Sequence, residues 1–401
     1  MAVKVMIALN TAWNLVNFRA GLIRALVARG YEVIAVAPFD DYAVHLEALG
    51  CRYIPLPMDN KGTHPGRDAL LLWRFWRLLR RERPAVFLGY TVKPNLYGSL
   101  AAHCLRIPVV NNIAGLGAVF IRVNWLTRLV RRMYRVALSR SAKVFFQNED
   151  DRNTFVQSGL VCHKKTDRLP GSGVDLERFS DQAVTINAPR LDCGIQEQEA
   201  EPPPITFLLA ARMLWDKGVG EYVEAARVLK QRSLNARFCL LGFLEVENPA
   251  AISRAQMDAW VSEGVVDYLG VSDDIRPYLA AADCVVLPSY REGVPRILLE
   301  AAAMGCPIVT TDAVGCRDVV EHDVNGLLCR SCDATDLANK LENMMALTPE
   351  ARIEMGRLGR LKIEQQFDEQ IVINKYLRSI DLLMHERDFD PMSTDPRNFN
   401  L

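Results

Sequence analysis

Two cations and two carboxylates in the second half of this 401-residue chain have the spacing of a site for a phosphorylated, hydroxyl-rich ligand. Arg212 and Lys217 stand five residues apart in LLAARMLWDKGVGEYVEAA (208–226), where an apolar run gives way to a loop and then to a helical pattern. A guanidinium fork and a point-charge ammonium at one strand end can converge on a single phosphate group. Gly218 beside them leaves room for close backbone approach. Each cation alone is ordinarily a solvated loop charge. Glu292 and Glu300 stand in LPSYREGVPRILLEAAAMGCPIVTTD (287–312), which reads strand, turn, helix, strand. Glu292 and Gly293 occupy the turn, Pro295 suits the first helical turn, and Gly305 suits its end. Backbone N–H groups of Gly293 and Val294, with the helix N-terminus, offer an anion site where a diphosphate can dock. Carboxylates flanking such a site suit hydroxyls, so sugar and ribose hydroxyls are their natural partners.

The elements that must hold these residues follow from the periodicity. In the first half, apolar runs at 3–9, 31–38, 51–57, 85–90, 108–113 and 143–148 alternate with helical patterns at 18–30 and 42–50. Such alternation with short connections implies a parallel sheet with helices on its faces. A polar stretch ending in EPPP (201–204) breaks the pattern, and ITFLLAA (205–211) starts a second alternation. Pro and Gly mark a domain boundary there. The expected class is therefore α/β with two Rossmann-like domains facing a cleft at the carboxyl ends of their strands. The expected divisions are 1–172, a linker or insertion at 173–204, 205–366, and a last helix with a loose tail at 367–401.

Composition bounds the alternatives. Half the residues are hydrophobic and 24% are charged, as in an ordinary globular protein. The N-terminus MAVKVMIALN reads as a first strand rather than a signal peptide, and ten scattered cysteines fit a reducing compartment better than a disulfide framework. No apolar run reaches the roughly 18 residues a membrane span needs. The net charge of zero hides a polarity: residues 1–172 carry 25 Lys and Arg against 11 Asp and Glu, and the remainder carries 23 against 37. An anionic partner is expected at the first half, either a membrane surface or nucleic acid.

With Arg212-x4-Lys217 followed by Glu292-x7-Glu300 in the form EGVPRILLE, the chain resembles the retaining glycosyltransferases of family four, which have the GT-B fold. The resemblance extends to PGSGVDLERF, YLGVSDDI and GCRDVVEHDVNGLL (315–328). In the first half, NLVNFRAGLIRAL (14–26), YTVKPNLYGSLAA (90–102) and NNIAGLGAVF (111–120) resemble capsule and O-antigen transferases acting on polyprenyl-diphosphate-linked sugars, such as N-acetylgalactosaminyltransferases. The resemblance implies that Arg212 and Lys217 hold the donor diphosphate, Glu292 meets the transferred sugar, and Glu300 meets the ribose. It further implies that Gly293, Val294 and Pro295 line the phosphate and sugar, that Leu269, Gly270 and Val271 approach the base, and that the last helix crosses back to brace the first domain. The implied activity is transfer of a hexose or N-acetylhexosamine, GalNAc first among them, from a UDP-sugar to a polyprenyl-diphosphate-linked saccharide in polysaccharide, lipopolysaccharide or O-antigen assembly.

Departures from the family pattern fall in the first domain. Many relatives carry a histidine near the acceptor, whereas GYTVKPNLYG has none, which leaves Lys93 and Asn95 as polar candidates against purely structural roles. The loop ALNTAWNLVNF lacks the glycine that relatives set against the diphosphate, which leaves Asn10 and Asn14 as side-chain substitutes. The lone D-x-D, Asp388–Asp390, lies in the tail, so no metal or other cofactor is expected. Cys329 and Cys332 form a single C-x-x-C without the second pair a zinc site needs. Gly115 and Gly117 do not follow the first strand and make no dinucleotide fingerprint.

The positive charge of the first half concentrates in two stretches. In 68–84, Arg74, Arg77 and Arg81 share a helix face, with Trp73 and Trp76 at its border. In 121–143 there are seven basic residues, Arg128, Arg131, Arg132 and Arg135 among them, and no acid. Basic amphipathic helices with aromatics suit an anionic membrane interface, whereas no nucleic-acid motif accompanies the charge. The expected location is peripheral, on the cytoplasmic face of the inner membrane. Two rival readings remain: a non-catalytic nucleotide-sugar-binding partner of the same fold, and a GT-B nucleotide-sugar epimerase.

Overall fold

A computed structural model describes residues 2–59, 64–115, 125–180, 203–246 and 248–388. The chain divides into two units, one formed by residues up to 172 together with those from 370 onward, the other by 173–369. Among the described residues no helix is long and apolar enough to cross a membrane.

The first unit runs β1 (Lys4–Ala8), α1 (Ala12–Ala28), β2 (Glu32–Ala37), α2 (Val44–Ala48), β3 (Arg52–Pro55), α3 (Pro65–Glu82), β4 (Val86–Tyr90), α4 (Ser99–Cys104), β5 (Val109–Ile113), α5 (Trp125–Ser139), β6 (Lys143–Phe146), α6 (Glu149–Gln157) and β7 (Thr166–Arg168). Its strands form one parallel sheet in the order β3-β2-β1-β4-β5-β6-β7. One face packs against α3, α4, α5 and α6 through Phe75, Leu79, Phe87, Tyr134 and Phe155. The other packs against α1 through Leu15, Leu22, Ile23 and Leu26.

α1 starts at Ala12, six residues before the first residue of the expected helix. The apolar spacing of its opening turn is weak, but two caps compensate. Thr11 Oγ1 accepts from the Asn14 N–H at 3.1 Å, and Asp40 Oδ2 accepts from the Ala12 and Trp13 N–H groups at 2.8 and 3.1 Å. Caps of this kind are each worth about 1 kcal/mol. Buried positions 12, 15, 19, 22, 23 and 26 then trace the core stripe, with an arginine, Arg19, among them.

The second unit runs β8 (Ile205–Ala210), α7 (Val219–Gln231), β9 (Ala236–Leu241), α8 (Arg254–Ser262), β10 (Asp267–Tyr268), α9 (Arg276–Ala280), β11 (Cys284–Leu287), α10 (Arg296–Ala303), β12 (Ile308–Thr311), β13 (Gly326–Cys329), α11 (Ala334–Ala346) and α12 (Pro349–Gln366). Its parallel sheet has the order β10-β9-β8-β11-β12-β13. Phe207 and Phe238 stack 5.5 Å apart in its core, and the Tyr222 hydroxyl donates to Phe207 O at 2.9 Å.

Residues 173–180, expected as linker, belong to the second unit. Val174 and Phe179 are buried in its core, and Val174 donates its N–H to Phe367 O at 2.9 Å. Burial of apolar side chains here outweighs the local Gly and polar composition. The stretch 181–202 lies outside the described residues. A last helix, α13 (Glu369–Asp388), places Val372, Ile373, Tyr376, Leu377 and Ile380 in the core of the first unit. An ion pair of 2.8 Å between Arg29 and Asp381 ties it to α1.

Candidate active site

In the second unit the strand order reverses between β8 and β11, which are hydrogen-bonded neighbours. Open parallel sheets bind ligands outside the carboxyl ends of the strands at such a reversal. Arg212 and Lys217 lie on the connection from β8 to α7, and Glu292 lies on the connection from β11 to α10, so the two sequence motifs arrive on either side of it.

Lys217 Nζ pairs with Glu292 Oε1, and the two side chains are only 18% and 14% exposed. The Ser289 hydroxyl donates to the same Glu292 oxygen at 2.8 Å, and the Glu292 N–H donates to Val314 O at 3.0 Å. Glu292 is thereby fixed at both its backbone and its carboxylate. Arg212 is exposed, and its guanidinium has no hydrogen bond or ion pair among the described residues. One cation is thus held by a carboxylate, and a second stands open to an incoming anion.

Two glycines make this packing possible. Gly218 has φ of +73°, and a Cβ there would collide with the Pro288 carbonyl. Gly315 has φ of +83°, and a Cβ would collide with the carbonyls of Glu292 and Gly293. Both need the left-handed conformation and the missing side chain. Beneath the pair, burial and then the charge of Glu292 push the Cys316 thiol up to about 12, so it stays neutral.

Glu300 sits on α10 with its side chain 14% exposed, and Arg296 Nε donates to its Oε1 at 2.7 Å. Burial raises its pKa above the ordinary carboxylate value, and the positive charges of Arg296 and Arg178 oppose that rise. Pro295 is the N-cap residue of α10, and no side chain caps the helix. Val294 and Pro295 are buried, and Gly293 is half-buried. Leu269, Gly270 and Val271 follow β10 on the same carboxyl edge, where Val271 is 47% exposed and Gly270 O accepts from the Gly242 N–H at 2.8 Å.

Sequence reasoning missed Ser289 and Arg296 here. Arg296 was readable as the i, i+4 partner of Glu300. Ser289 carried no signal, because its role depends on where the strand ends. Of the C-x-x-C pair, burial pushes the Cys329 thiol up to about 12, and Cys332 is exposed. Among the described residues no group of three or more His, Cys, Asp or Glu converges.

The first-unit candidates behave differently. Asn14 lies in the first turn of α1 rather than in a loop, and its side-chain amide donates to Asn10 Oδ1 at 3.3 Å. Lys93 pairs with Asp68 at 2.9 Å, the two side chains being 12% and 8% exposed, so its charge is spent inside the unit. Asn95 is 1% exposed; its amide donates to Asn112 O at 2.8 Å and its oxygen accepts from Asn111 at 2.9 Å. It is a core residue. A single π-helical turn, Pro94–Gly98, turns it inward.

The basic stretches lie on α3 and α5, which pack on the same face of the sheet. Arg77, Arg81, Arg128, Arg132 and Arg135 are exposed, and Arg74 and Arg131 are half-buried. Arg74 donates to Pro57 O at 2.8 Å, Arg81 to Glu82 at 2.9 Å, and Arg135 to Gly159 O at 3.0 Å. Trp73, expected at the border of the face, is 50% exposed within the arginine stripe, and Arg77 lies 5.4 Å over its ring.

Comparison with known proteins places both units. Residues 17–170 match the glycosyl transferase 4-like domain and residues 204–346 match the glycosyl transferases group 1 model. The chain is 28% identical to N,N'-diacetylbacillosaminyl-diphospho-undecaprenol alpha-1,3-N-acetylgalactosaminyltransferase of Campylobacter jejuni, over 92% of this chain and 96% of that one. It is 24% identical to UDP-Gal:alpha-D-GlcNAc-diphosphoundecaprenol alpha-1,3-galactosyltransferase of Escherichia coli, over 73% of this chain and 72% of that one. Among solved structures, Anabaena HepE in complex with UDP and glucose aligns with a TM-score of 0.72 at 17% identity, covering 95% of this chain and all of that one. The two family models meet the two units described above, and the chain belongs to the glycosyltransferases of family four, with the GT-B fold.

Proposed function

We propose that the enzyme transfers a hexose or N-acetylhexosamine, GalNAc first, from a UDP-sugar to a polyprenyl-diphosphate-linked saccharide, with retention of configuration and without a metal. The observation that carries the donor half is the Lys217–Glu292 pair beside the open Arg212 at the strand-order reversal. The glycosidic C–O bond to the nucleotide diphosphate breaks while negative charge grows on that phosphate. Arg212 and Lys217 meet that charge, where fixed cations lower the barrier most, and the uncapped start of α10 adds its amide dipoles. Glu292, released from Lys217 as the diphosphate binds, meets the transferred sugar, and Glu300 accepts from the ribose hydroxyls. The acceptor hydroxyl attacks the same face of the sugar, and its proton passes to the departing phosphate oxygen.

The acceptor half draws on the relatives, whose names specify diphospho-undecaprenol acceptors. The donor nucleotide draws on the E. coli relative, named for UDP-Gal, and on HepE with its bound UDP. Docking on the cytoplasmic face of the inner membrane rests on the exposed arginines of α3 and α5 with Trp73 among them.

A thermal-shift panel of UDP-, GDP-, dTDP- and ADP-sugars, with and without EDTA, tests the donor assignment. The expected result is a rise in melting temperature with UDP-sugars, indifferent to EDTA and weakened in Arg212→Ala. A shift that needs a divalent ion, or one that favours another nucleotide, rejects it.

A further inference from the structure

The core stripe of α1 contains a cation where an apolar residue belongs. Arg19 occupies the position between Leu15 and Leu22, is 6% exposed, and has no hydrogen bond or ion pair among the described residues. Its Nε is sealed from solvent without a partner. The guanidinium carbon lies 4.5 Å over the ring of Tyr90, the last residue of β4. One more orphan shares the cluster: Asn112 Oδ1 is enclosed and unpartnered, while the enclosed Tyr90 hydroxyl meets that of Tyr376. Asn112 spends its amide on the Tyr376 hydroxyl of α13 at 2.9 Å, and the rings of Tyr90 and Tyr376 lie 5.8 Å apart. Burial holds both phenols protonated, and no carboxylate contributes to the field at either of them.

A buried guanidinium stays charged at any accessible pH, and an unpaired buried charge is among the costliest features a fold can carry. Stacking on Tyr90 recovers only part of that cost. The position of the cluster is informative as well. The first sheet reverses its strand order between β1 and β4, and Tyr90 stands at the carboxyl end of β4 beside that reversal, with α1 following β1. Long helical side chains point back toward the helix N-terminus, which directs Arg19 toward the carboxyl edge.

We propose that Arg19 is the centre of a phosphoryl-anion site of the first unit, and that its occupant is the diphosphate of the lipid-linked acceptor. The identity of the occupant rests on the acceptor class proposed above; the anion site itself does not. The guanidinium supplies charge and a planar donor fork to phosphate oxygens.

The test uses the intact chain carrying Arg212→Ala and Lys217→Ala, so that the cations of the second unit are silent. Inorganic pyrophosphate is expected to raise the melting temperature by about 2 °C or more. Adding Arg19→Leu is expected to abolish that shift without lowering the melting temperature measured in its absence, because replacing an unpaired buried charge by an apolar side chain is neutral or stabilising. No shift with native Arg19, or an undiminished shift in Arg19→Leu, overturns the site. Should Arg19→Leu fail to fold, Arg19→Lys keeps the charge without the fork and is expected to reduce the shift; an undiminished shift there overturns the site equally. The second arm measures transfer to a short-chain polyprenyl-diphosphate-linked saccharide, with Arg19→Leu in the otherwise native chain. The acceptor KM is expected to rise about tenfold while the donor KM stays unchanged. A pyrophosphate shift with an unchanged acceptor KM assigns the site to free phosphate and overturns the lipid-linked occupant. If the native enzyme turns over no such acceptor, the acceptor class is wrong, and the melting arm still decides the anion site.

Discussion

The sheets of the two units reverse their strand order in the same way, yet the helices at those reversals open in opposite ways. In the first unit, the amides that start α1 are taken by Asp40 and Thr11, and the lysine after β4 is paired with Asp68. In the second, α7 and α10 open without a side-chain cap, and Arg212 has no partner among the described residues, beside Lys217. Where a unit's own side chains occupy the amides that open a helix, those amides are closed to a phosphate; where they do not, the same amides are open to one. The difference is one of a few side chains on equivalent loops, not of architecture. The charge polarity runs the other way, with the basic excess on the unit whose helix starts are closed. That excess therefore belongs to its outer helices α3 and α5 more than to its sheet edge.

The contrast can be broken or sharpened by substitution. Lys217→Ala and Glu292→Gln should each lower kcat on the order of 10²-fold or more; steady-state kinetics with the matched donor measure this. Reversing charge at Arg77→Glu with Arg132→Glu should reduce partitioning onto anionic liposomes at least tenfold in a flotation assay, at about 1 kcal/mol per charge near the surface, with soluble donor binding intact. Asp40→Ala should do the opposite of the lysine change. It should cost about 1 kcal/mol of stability in denaturant unfolding while leaving donor affinity unchanged.

The smallest expected effect is a pH dependence. Because burial raises the Glu300 pKa in the folded state, the folded protein binds the proton more tightly than the unfolded chain. Stability is therefore lost as pH rises from the ordinary carboxylate value of 4.5 through the raised one. Glu300→Gln should make the unliganded protein slightly more stable than the native one at pH 7, and the advantage should shrink as pH falls toward the ordinary value. Melting curves across pH read the crossing, and the same variant should bind the nucleotide more weakly.

Most of the second-unit site was legible because its chemistry is local. Arg212 and Lys217 share one loop, Glu292 and Glu300 share one strand-to-helix turn, and strand ends bring the two together. The internal pairing of Asn95 and Lys93 was hidden for the converse reason. The burial of Asn95 depends on a π turn and on partners at Asn111 and Asn112, and the pairing of Lys93 depends on a residue 25 positions away. Neither contact leaves a periodic trace. The start of α1 was hidden by Asn14 and Asn17, which are poor helix formers, while the cap at Asp40 acts from 28 residues downstream.

The placement of α13 has a consequence for how the protein is made. Its Tyr376 and Ile380 complete the core of a unit whose other elements precede residue 173. On the ribosome, the first-born unit therefore waits for the whole second unit to be synthesised, about 10 to 40 s at 5–20 residues per second. Throughout that interval the apolar face against which Tyr376 will close stays open. Nascent chains halted just before residue 370 should accordingly engage chaperones through their amino-terminal half, although the carboxyl-terminal unit is the newer one.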